Sequence, residues 1–257
     1  MAEGHDPPPA EPPPLAELVG VTKRFGGVTV IDDLSLAIAG DAAIGVIGPN
    51  GAGKTTMLHL VAGDLAPDRG TVRLGGRDVT RLRPDQRCRA GIARTAQVPR
   101  PYTGMSVFEN VLVAATFGGR RRLSERAATP LAVGALDRTG LLGAANRQAG
   151  TLPLLDRKRL ELARALAGRP QLLLLDEIAG GLTDGETDEL VGTICALRDE
   201  GLAVVWIEHI VHALLAVVDR LVVIDHGRVV ADGDPHEVVA SPAVHQIYLG
   251  DTAVVGP

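Results

Sequence analysis

The segment at residues 48–55 constrains the fold more than any other part of this sequence. It reads GPNGAGKT and matches the pattern G-x-x-x-x-G-K-[ST] at every position. It follows the apolar run 42–47, which predicts a strand, and opens a predicted helix at 54–62 that ends at Gly63. Glycines allow a turn in which successive backbone N–H groups converge, and a helix N-terminus adds its positive dipole end. The segment therefore predicts a phosphate-binding loop between a strand and a helix.

This loop and the first helical turn form the candidate phosphate site. The ammonium group of Lys54 would reach the β and γ phosphates of a nucleotide, and the hydroxyl of Thr55 is placed to ligate Mg²⁺. The motif alone indicates a nucleotide phosphate and does not specify a reaction. The residues expected to contact the phosphates are Gly48, Pro49, Asn50, Gly51, Ala52, Gly53, Lys54, Thr55 and Thr56.

Two adjacent acids, Asp176 and Glu177, follow the apolar run 172–175, which predicts a buried strand. In a parallel sheet the carboxyl end of this strand lies at the same edge as the phosphate loop. Asp176 would then hold Mg²⁺, and Glu177 would polarise an attacking water as a general base. The alternative is an ordinary strand end whose acids cap the next helix, and the phosphate loop disfavours it.

Strand and helix patterns alternate along most of the chain, which predicts an α/β fold with a largely parallel sheet. Helical patterns dominate between residues 97 and 149. One helix is predicted to begin at Ser106, which forms a capping box with Glu109, whereas residues 118–130 are expected to form a basic loop. Predicted strands occupy 18–23, 28–38, 42–47, 71–74, 172–175, 202–207 and 221–224, and predicted helices occupy 54–62, 157–167, 184–200 and 210–217.

The two ends of the chain differ from its middle. Residues 1–14 are rich in proline and poor in large apolar groups, so they are expected to form a disordered tail. The folded domain is predicted at 15–250, with a helical subdomain at about 97–165, and residues 251–257 form a C-terminal tail.

Composition and charge exclude several classes of protein. The chain has 26 basic and 31 acidic residues and a net charge of −5, so no basic field attracts nucleic acid. Cys88 and Cys195 lie far apart without metal-ligand spacing, which indicates free thiols in a reducing compartment. No apolar run reaches the roughly 18–20 residues that cross a bilayer, and the N-terminus does not resemble a signal peptide. We expect a cytosolic protein whose membrane role depends on a partner.

Three further residues give the chain a resemblance to the ATP-binding cassette (ABC) family. Gln97 follows the predicted strand 92–95, His209 follows a second strand, and Phe25 precedes a Gly-Gly turn. With the loop and the acidic pair, their order from residue 18 to 250 resembles a P-loop ATPase of ABC type, with an antiparallel β part and an inserted helical subdomain. The resemblance implies that Phe25 stacks on the adenine of ATP, that Gln97 contacts Mg²⁺ and the attacking water, and that His209 contacts the γ-phosphate.

Three stretches resemble the ATPase subunits of branched-chain amino acid importers. They are GIARTAQ at 91–97, GMSVFENVL at 104–112 and IYLG at 247–250. Ala96 departs from that branch, which usually has Phe there. The resemblance implies transmembrane permease subunits, a second ATPase subunit and, indirectly, a periplasmic binding protein as partners. The chain would then lie in the cytoplasm, peripherally on the inner face of the plasma membrane. ATPases of urea or other amide import and of lipopolysaccharide export are similar and stay open.

The segment 152–156 departs from the family. ABC ATPases carry LSGGQ before the helix that corresponds to 157–167, and here the sequence is LPLLD. The serine hydroxyl is absent, Pro153 lacks an N–H, and Leu154 and Leu155 would obstruct a close backbone approach to phosphate. Asp156 brings negative charge unless it serves as the helix N-cap. A heterodimer with a second ATPase that has an intact signature is therefore favoured over a homodimer.

The same departure leaves other hypotheses open. One is that the segment only caps a helix, and another is that the chain is a degenerate cassette that binds ATP with little hydrolysis. A non-transport ABC protein acting on DNA or ribosomes is disfavoured, because the sequence has no long coiled coil, zinc insert or second cassette. Thr183 stands where the family has Asp or Asn, and its spacing to Glu186 predicts a capping box.

Overall fold

The computed structural model describes residues 13–242 and 244, so the predictions for residues 1–12, for IYLG at 247–250 and for the tail at 251–257 lie outside the described residues. The described strands fall into two sheets. The strands are β1 (Ala16–Phe25), β2 (Val28–Ile38), β3 (Ala43–Ile47), β4 (Arg69–Leu74), β5 (Arg77–Asp78), β6 (Ile92–Arg94), β7 (Leu172–Asp176), β8 (Ala203–Ile207), β9 (Arg220–Asp225) and β10 (Arg228–Gly233).

The larger sheet has the order β10-β9-β3-β8-β7-β6. Pairing between its neighbours is parallel from β6 to β9, and β10 pairs antiparallel to β9. Every residue of β3, β7 and β8 is buried, as expected for strands covered on both faces. Trp206, on β8, is fully buried between Gly45 of β3 and Leu175 of β7. The largely parallel sheet is confirmed.

The smaller sheet is antiparallel and has the order β2-β1-β4-β5. It contains the predicted hairpin joined at Gly26-Gly27, and it packs Ile31, Leu34 and Val72 into one apolar cluster with Ile44 of the larger sheet. The antiparallel β part of the predicted fold is therefore present, and it rests on one face of the parallel sheet.

Eight α-helices complete the described part of the chain. Helices α3 (Val107–Phe117), α4 (Glu125–Arg138) and α5 (Leu154–Ala167) lie between β6 and β7 in the sequence. They pack on one another and form the predicted helical insertion. The capping box of α3 is confirmed, since the Ser106 hydroxyl accepts the Glu109 N–H at 3.1 Å and the Glu109 carboxylate accepts the Ser106 N–H at 2.7 Å. The helices are α1 (Lys54–Ala62), α2 (Pro84–Ala90), α3 (Val107–Phe117), α4 (Glu125–Arg138), α5 (Leu154–Ala167), α6 (Asp184–Asp199), α7 (Val211–Leu215) and α8 (Pro235–Ala240).

The basic loop predicted at 118–130 is wrong from residue 125 onward, because α4 begins there and Pro130 lies inside it. An interior proline costs a helix about 3 kcal/mol, since it removes one backbone hydrogen bond and crowds the preceding turn. The opposite face buries Ala128, Ala132 and Leu136 against α3 and α5. Burial of Leu136 contributes roughly 1.5–3 kcal/mol and the two buried alanines add to it, so this packing offsets the cost of the proline.

The helix predicted at 157–167 also begins earlier, at Leu154. Pro153 occupies the N-cap position, where its missing N–H removes no hydrogen bond of the helix. Asp156 is therefore a residue of the first turn and not the N-cap, and its carboxylate lies 3.7 Å from the guanidinium of Arg159. The capping box at Thr183 is confirmed, with Glu186 as its second member.

Candidate active site

The predicted phosphate loop connects β3 to α1 and depends on two close backbone approaches. Gly48 and Gly53 have φ of 152° and 105°. A Cβ on Gly48 would lie 2.0 Å from the carbonyl oxygen of Ile224, and one on Gly53 would lie 2.8 Å from that of Val30. Neither position accepts a side chain without moving β9 or β2. These two close approaches fix the path of the loop between β3 and α1.

Lys54 lies beneath this loop and is 6% exposed. Its ammonium group donates to the carbonyl oxygens of Gly48 at 2.7 Å and Pro49 at 2.9 Å. Burial lowers the pKa of Lys54, and the carboxylates of Glu177 and Asp176 oppose that shift. The ammonium group of Lys54 therefore lies against the loop, beside the N-terminus of α1, where it would attract phosphate oxygens.

The loop borders a small cleft of about 190 Å³. Val30 of β2 and Glu177 lie across it from the loop, so the two sheets and the helix start meet at one place. The remaining lining residues are Asn50, Gly51, Ala52, Gly53, Lys54, Thr55 and Thr56. All residues that line the cleft were predicted from the sequence except Val30. Val30 belongs to an alternating strand pattern, which does not indicate a binding site.

Asp176 ends β7 and is 2% exposed. One carboxylate oxygen, Oδ1, has no hydrogen-bond partner among the residues that the structure describes. Burial raises the pKa of Asp176, whereas the guanidinium of Arg94 and a hydrogen bond from the hydroxyl of Thr55 favour its charged form. A buried carboxylate oxygen with a free lone pair, next to a hydroxyl, is the oxygen ligand set that Mg²⁺ prefers. The residues present therefore fit a magnesium ion.

Glu177 occupies the next position, in the turn that follows β7. Its φ of 47° is left-handed, which is uncommon for a residue other than glycine. Its Oε2 accepts from the amide of Gln97 at 2.5 Å, and its Oε1 lies 2.8 Å from Nε2 of His209. Three residues from distant parts of the sequence are thus brought together beside the loop. A carboxylate in this position can accept a proton from a water near the phosphates.

Phe25 lies at the end of β1, pairs with Val28 across the hairpin turn, and is 46% exposed. The ammonium group of Lys23 lies 5.6 Å from the centroid of its ring. The same hairpin continues to Val30, which lines the cleft. An exposed aromatic ring near a phosphate loop is available for stacking on a planar base, and the assignment of adenine to this ring stays a prediction.

In the segment 152–156, fewer leucines are exposed than the sequence suggests. Leu152 and Leu155 are 1% and 7% exposed and pack into the helical insertion. Leu154 is 39% exposed and would be in contact with any Cβ added at Gly181. The expectation that both Leu154 and Leu155 obstruct an approach to this segment is therefore corrected, because Leu155 points into the core and Leu154 alone lies at the surface.

Glu208 was missed by sequence reasoning. It lies between β8 and His209, is 2% exposed, and accepts the backbone N–H groups of Ala179 at 3.0 Å and His209 at 2.9 Å. The available sign was an acid directly after the buried strand that precedes His209. Acids at strand ends are common in loops, so the sequence alone did not separate it from a solvated residue.

Comparison with known proteins places the chain in one family. A family model described as ABC transporter matches residues 31–180, and one described as Branched-chain amino acid ATP-binding cassette transporter matches 228–254. The high-affinity branched-chain amino acid transport ATP-binding protein BraF of Pseudomonas aeruginosa is 38% identical over 253 residues, which cover 93% of this chain and 98% of that protein. LivG of Escherichia coli, described in the same words, is 37% identical with the same coverage of both chains.

Solved structures give the same result for the fold. The ADP conformation of an ATP-binding cassette of an ABC transporter superposes with a TM-score of 0.84 at 28% identity, covering 92% of this chain and 98% of that chain. A nucleotide-free cassette superposes with a TM-score of 0.83 at 27% identity. Sequence, fold and the arrangement of the site agree, and the chain belongs to the ABC transporter family of ATP-binding proteins.

Proposed function

We propose that this chain hydrolyses ATP to power the import of branched-chain amino acids. The position of Glu177, which Gln97 and His209 hold beside the phosphate loop, is the observation that supports ATP hydrolysis. The substrate class is supported by BraF and LivG, which match nearly their whole length, and by the family model at residues 228–254. No residue of this chain is expected to touch the amino acid, which would cross the membrane through other subunits.

The loop and α1 hold the triphosphate. The backbone N–H groups of the loop, which Pro49 lacks, would surround the β and γ phosphates, and the ammonium group of Lys54 would exchange its two loop carbonyls for phosphate oxygens. Thr55, Asp176 and Gln97 would hold Mg²⁺, which when bound would neutralise charge on the phosphate oxygens. Phe25 stacks on the adenine, so the nucleotide spans from the small sheet to the loop.

Glu177 then acts as the general base. Its carboxylate accepts a proton from the attacking water, while Gln97 and His209 fix its two oxygens in place. His209 also contacts the γ-phosphate that is transferred. Charge stabilisation by Lys54 and the loop amides completes the reaction, since phosphoryl transfer depends mainly on positioning and electrostatics.

The functional unit is a heterodimer with a second ABC ATPase. In ABC dimers the nucleotide on one subunit meets the signature of the other, and the segment 152–156 offers neither a serine hydroxyl nor a glycine backbone to it. Leu154, exposed at the start of α5, would face that nucleotide instead. The ATP held by this chain would meet the partner's intact signature and turn over rapidly.

The remaining partners are permease subunits and, indirectly, a periplasmic binding protein. No helix in the described part of the chain is long and apolar enough to cross a bilayer. Because the relatives are ATP-binding proteins of transport systems, we propose that the chain lies peripherally on the inner face of the plasma membrane, attached to the permeases, with Mg²⁺ and ATP supplied by the cytoplasm.

Reconstitution tests this proposal. The chain is assembled in proteoliposomes with the permease subunits and the second ATPase of its transporter, and uptake of radiolabelled leucine is followed with ATP inside. Wild type is expected to accumulate leucine, and Glu177→Gln is expected to fail. As a control, the uptake of radiolabelled urea is measured in the same vesicles.

The second candidate function is lipopolysaccharide export. The ATP-binding protein LptB of the lipopolysaccharide export system from Acidithiobacillus ferridurans is 34% identical over 242 residues. Hydrolysis stimulated by lipopolysaccharide, with no leucine uptake, would favour that function. Urea uptake without leucine uptake would favour amide import.

A further inference from the structure

Glu208 joins the two turns that carry the proposed catalytic groups. Its Oε2 accepts the N–H of Ala179, in the turn after Glu177, and its Oε1 accepts the N–H of His209. Each carboxylate oxygen thus serves one turn, at 3.0 Å and 2.9 Å. A carboxylate that is 2% exposed and accepts two backbone N–H groups is a strong, directional link between them.

The first of these turns depends on such links. Glu177 has a left-handed backbone, its N–H donates to the carbonyl of Ile207 at 2.9 Å, and its own carbonyl accepts the N–H of Gly180 at 3.2 Å. A non-glycine residue keeps this conformation only when its surroundings hold it. Glu208 and Ile207, neighbours at the end of β8, supply that support from the strand that leads to His209.

We propose that Glu208 is a positioning residue that fixes Glu177 relative to His209. This inference rests on the proposed function, since it assumes that Glu177 is the general base.

The test uses the assembled transporter with the general base of its second ATPase inactivated, so that hydrolysis reports on this chain. Glu208→Gln keeps the shape but offers one acceptor oxygen where the native carboxylate has two. One turn loses its anchor, and kcat is expected to fall by about 10- to 100-fold, the range for a small misplacement of a catalytic group. The dissociation constant for ATP is expected to stay within a few-fold of wild type, because the phosphate loop is untouched.

A matched variant separates positioning from general damage. Glu109→Gln removes a carboxylate that also accepts a backbone N–H, at 2.7 Å, but that belongs to helix α3 and not to the turns after β7 and β8. This variant is expected to keep kcat.

The outcomes are distinct from those of the proposed function. If wild type hydrolyses ATP and Glu177→Gln does not, the function stands, and Glu208→Gln can be judged. Unchanged kcat in Glu208→Gln, or a loss confined to ATP affinity, would overturn the positioning role. Hydrolysis by Glu177→Gln at the wild-type rate would overturn the function itself.

Discussion

Nε2 of His209 lies 2.8 Å from Oε1 of Glu177, on the oxygen opposite the one that Gln97 contacts. The side chain of Glu177 is 24% exposed and that of His209 is 45% exposed, so both face the cleft and not the core. The pair connects β7 and β8 across the mouth of the phosphate loop. A proton-accepting carboxylate is therefore oriented from both sides before any nucleotide arrives.

The first prediction concerns this carboxylate. Glu177→Gln keeps the contacts of the side chain but removes the proton acceptor. ATP hydrolysis is expected to fall by roughly 10²–10⁴-fold, the usual range for loss of a general base. Phosphate release measures the rate, and nucleotide binding, which is expected to persist, is measured separately. Hydrolysis within a few-fold of wild type would show that another group is the base.

The second prediction concerns Lys54. ATP at about 100 times its dissociation constant is expected to stabilise wild type by about 2.7 kcal/mol, which thermal unfolding detects. Lys54→Ala removes the buried cation under the loop, so the stabilisation by ATP is expected to disappear. Thr129→Ala, a change on the distant helix α4, serves as the control and is expected to respond to ATP like wild type. An equal shift in Lys54→Ala would contradict the assignment of the loop.

The third prediction concerns unequal ATP sites. Loss of one preorganised donor at a developing charge costs about 10²–10³ in rate, so the site that faces residues 152–156 is expected to turn over slowly. In the reconstituted heterodimer, Glu177→Gln should remove most of the ATPase activity. The equivalent change in the partner should remove little.

A homodimer of this chain is the matched comparison for that asymmetry. It would place Leu154 over both nucleotides and is expected to hydrolyse ATP poorly. Equal losses from the two base variants, or full activity from the homodimer, would return the segment 152–156 to the status of a tolerated variant.

The fourth prediction concerns three exposed arginines, Arg120, Arg121 and Arg122. They follow the exposed ring of Phe117, with the guanidinium of Arg122 at 5.0 Å from the centroid of that ring. If they contact permease or lipid headgroups, replacing all three with Gln is expected to weaken membrane co-sedimentation at low salt by on the order of tenfold. The difference should shrink as salt screens the charges.

A second triple variant controls for the change in net charge. Arg73, Arg77 and Arg81 are also exposed, but they belong to the region of β4 and β5. Their replacement with Gln is expected to leave co-sedimentation unchanged. Equal behaviour of the two triple variants would leave the arginines at 120–122 as an ordinary solvated surface.

The fifth prediction concerns Cys88, which lines a cleft of about 420 Å³ between α2, α3 and α5. Burial raises the pKa of its thiol, so less of the reactive thiolate is present at pH 8 than in an unfolded chain. Alkylation by iodoacetamide is expected to be slower in the native protein than in urea, and to accelerate as pH rises above the ordinary pKa of a thiol. Mass spectrometry of the peptide measures both rates, and equal rates would contradict the burial.

Local patterns in the sequence predicted one part of the site. Lys54 sits in a fixed motif, and Asp176 and Glu177 end an apolar run. Gln97 and His209 were singled out by the resemblance to the ABC family. Both follow strands, and the parallel sheet brings them to one edge.

The parts that were missed depend on contacts across the chain. Helix α4 was not predicted because Pro130 and several arginines are typical of a loop. Its buried alanines form an apolar stripe only in the packed structure, where they contact α3 and α5. Glu208 was hidden because its hydrogen bond to Ala179 joins residues 29 positions apart. Neither contact leaves a periodic pattern in the sequence.

Trp206 is the only tryptophan in the chain. Its ring is fully buried in the central strand β8, and its indole Nε1 has no hydrogen-bond partner in the described residues. The protein therefore has one tryptophan fluorophore, which lies in a buried, apolar setting between β3 and β7. Its emission should lie at short wavelength and shift to the red only when water reaches the centre of the sheet, so tryptophan fluorescence follows the integrity of this strand without any added label.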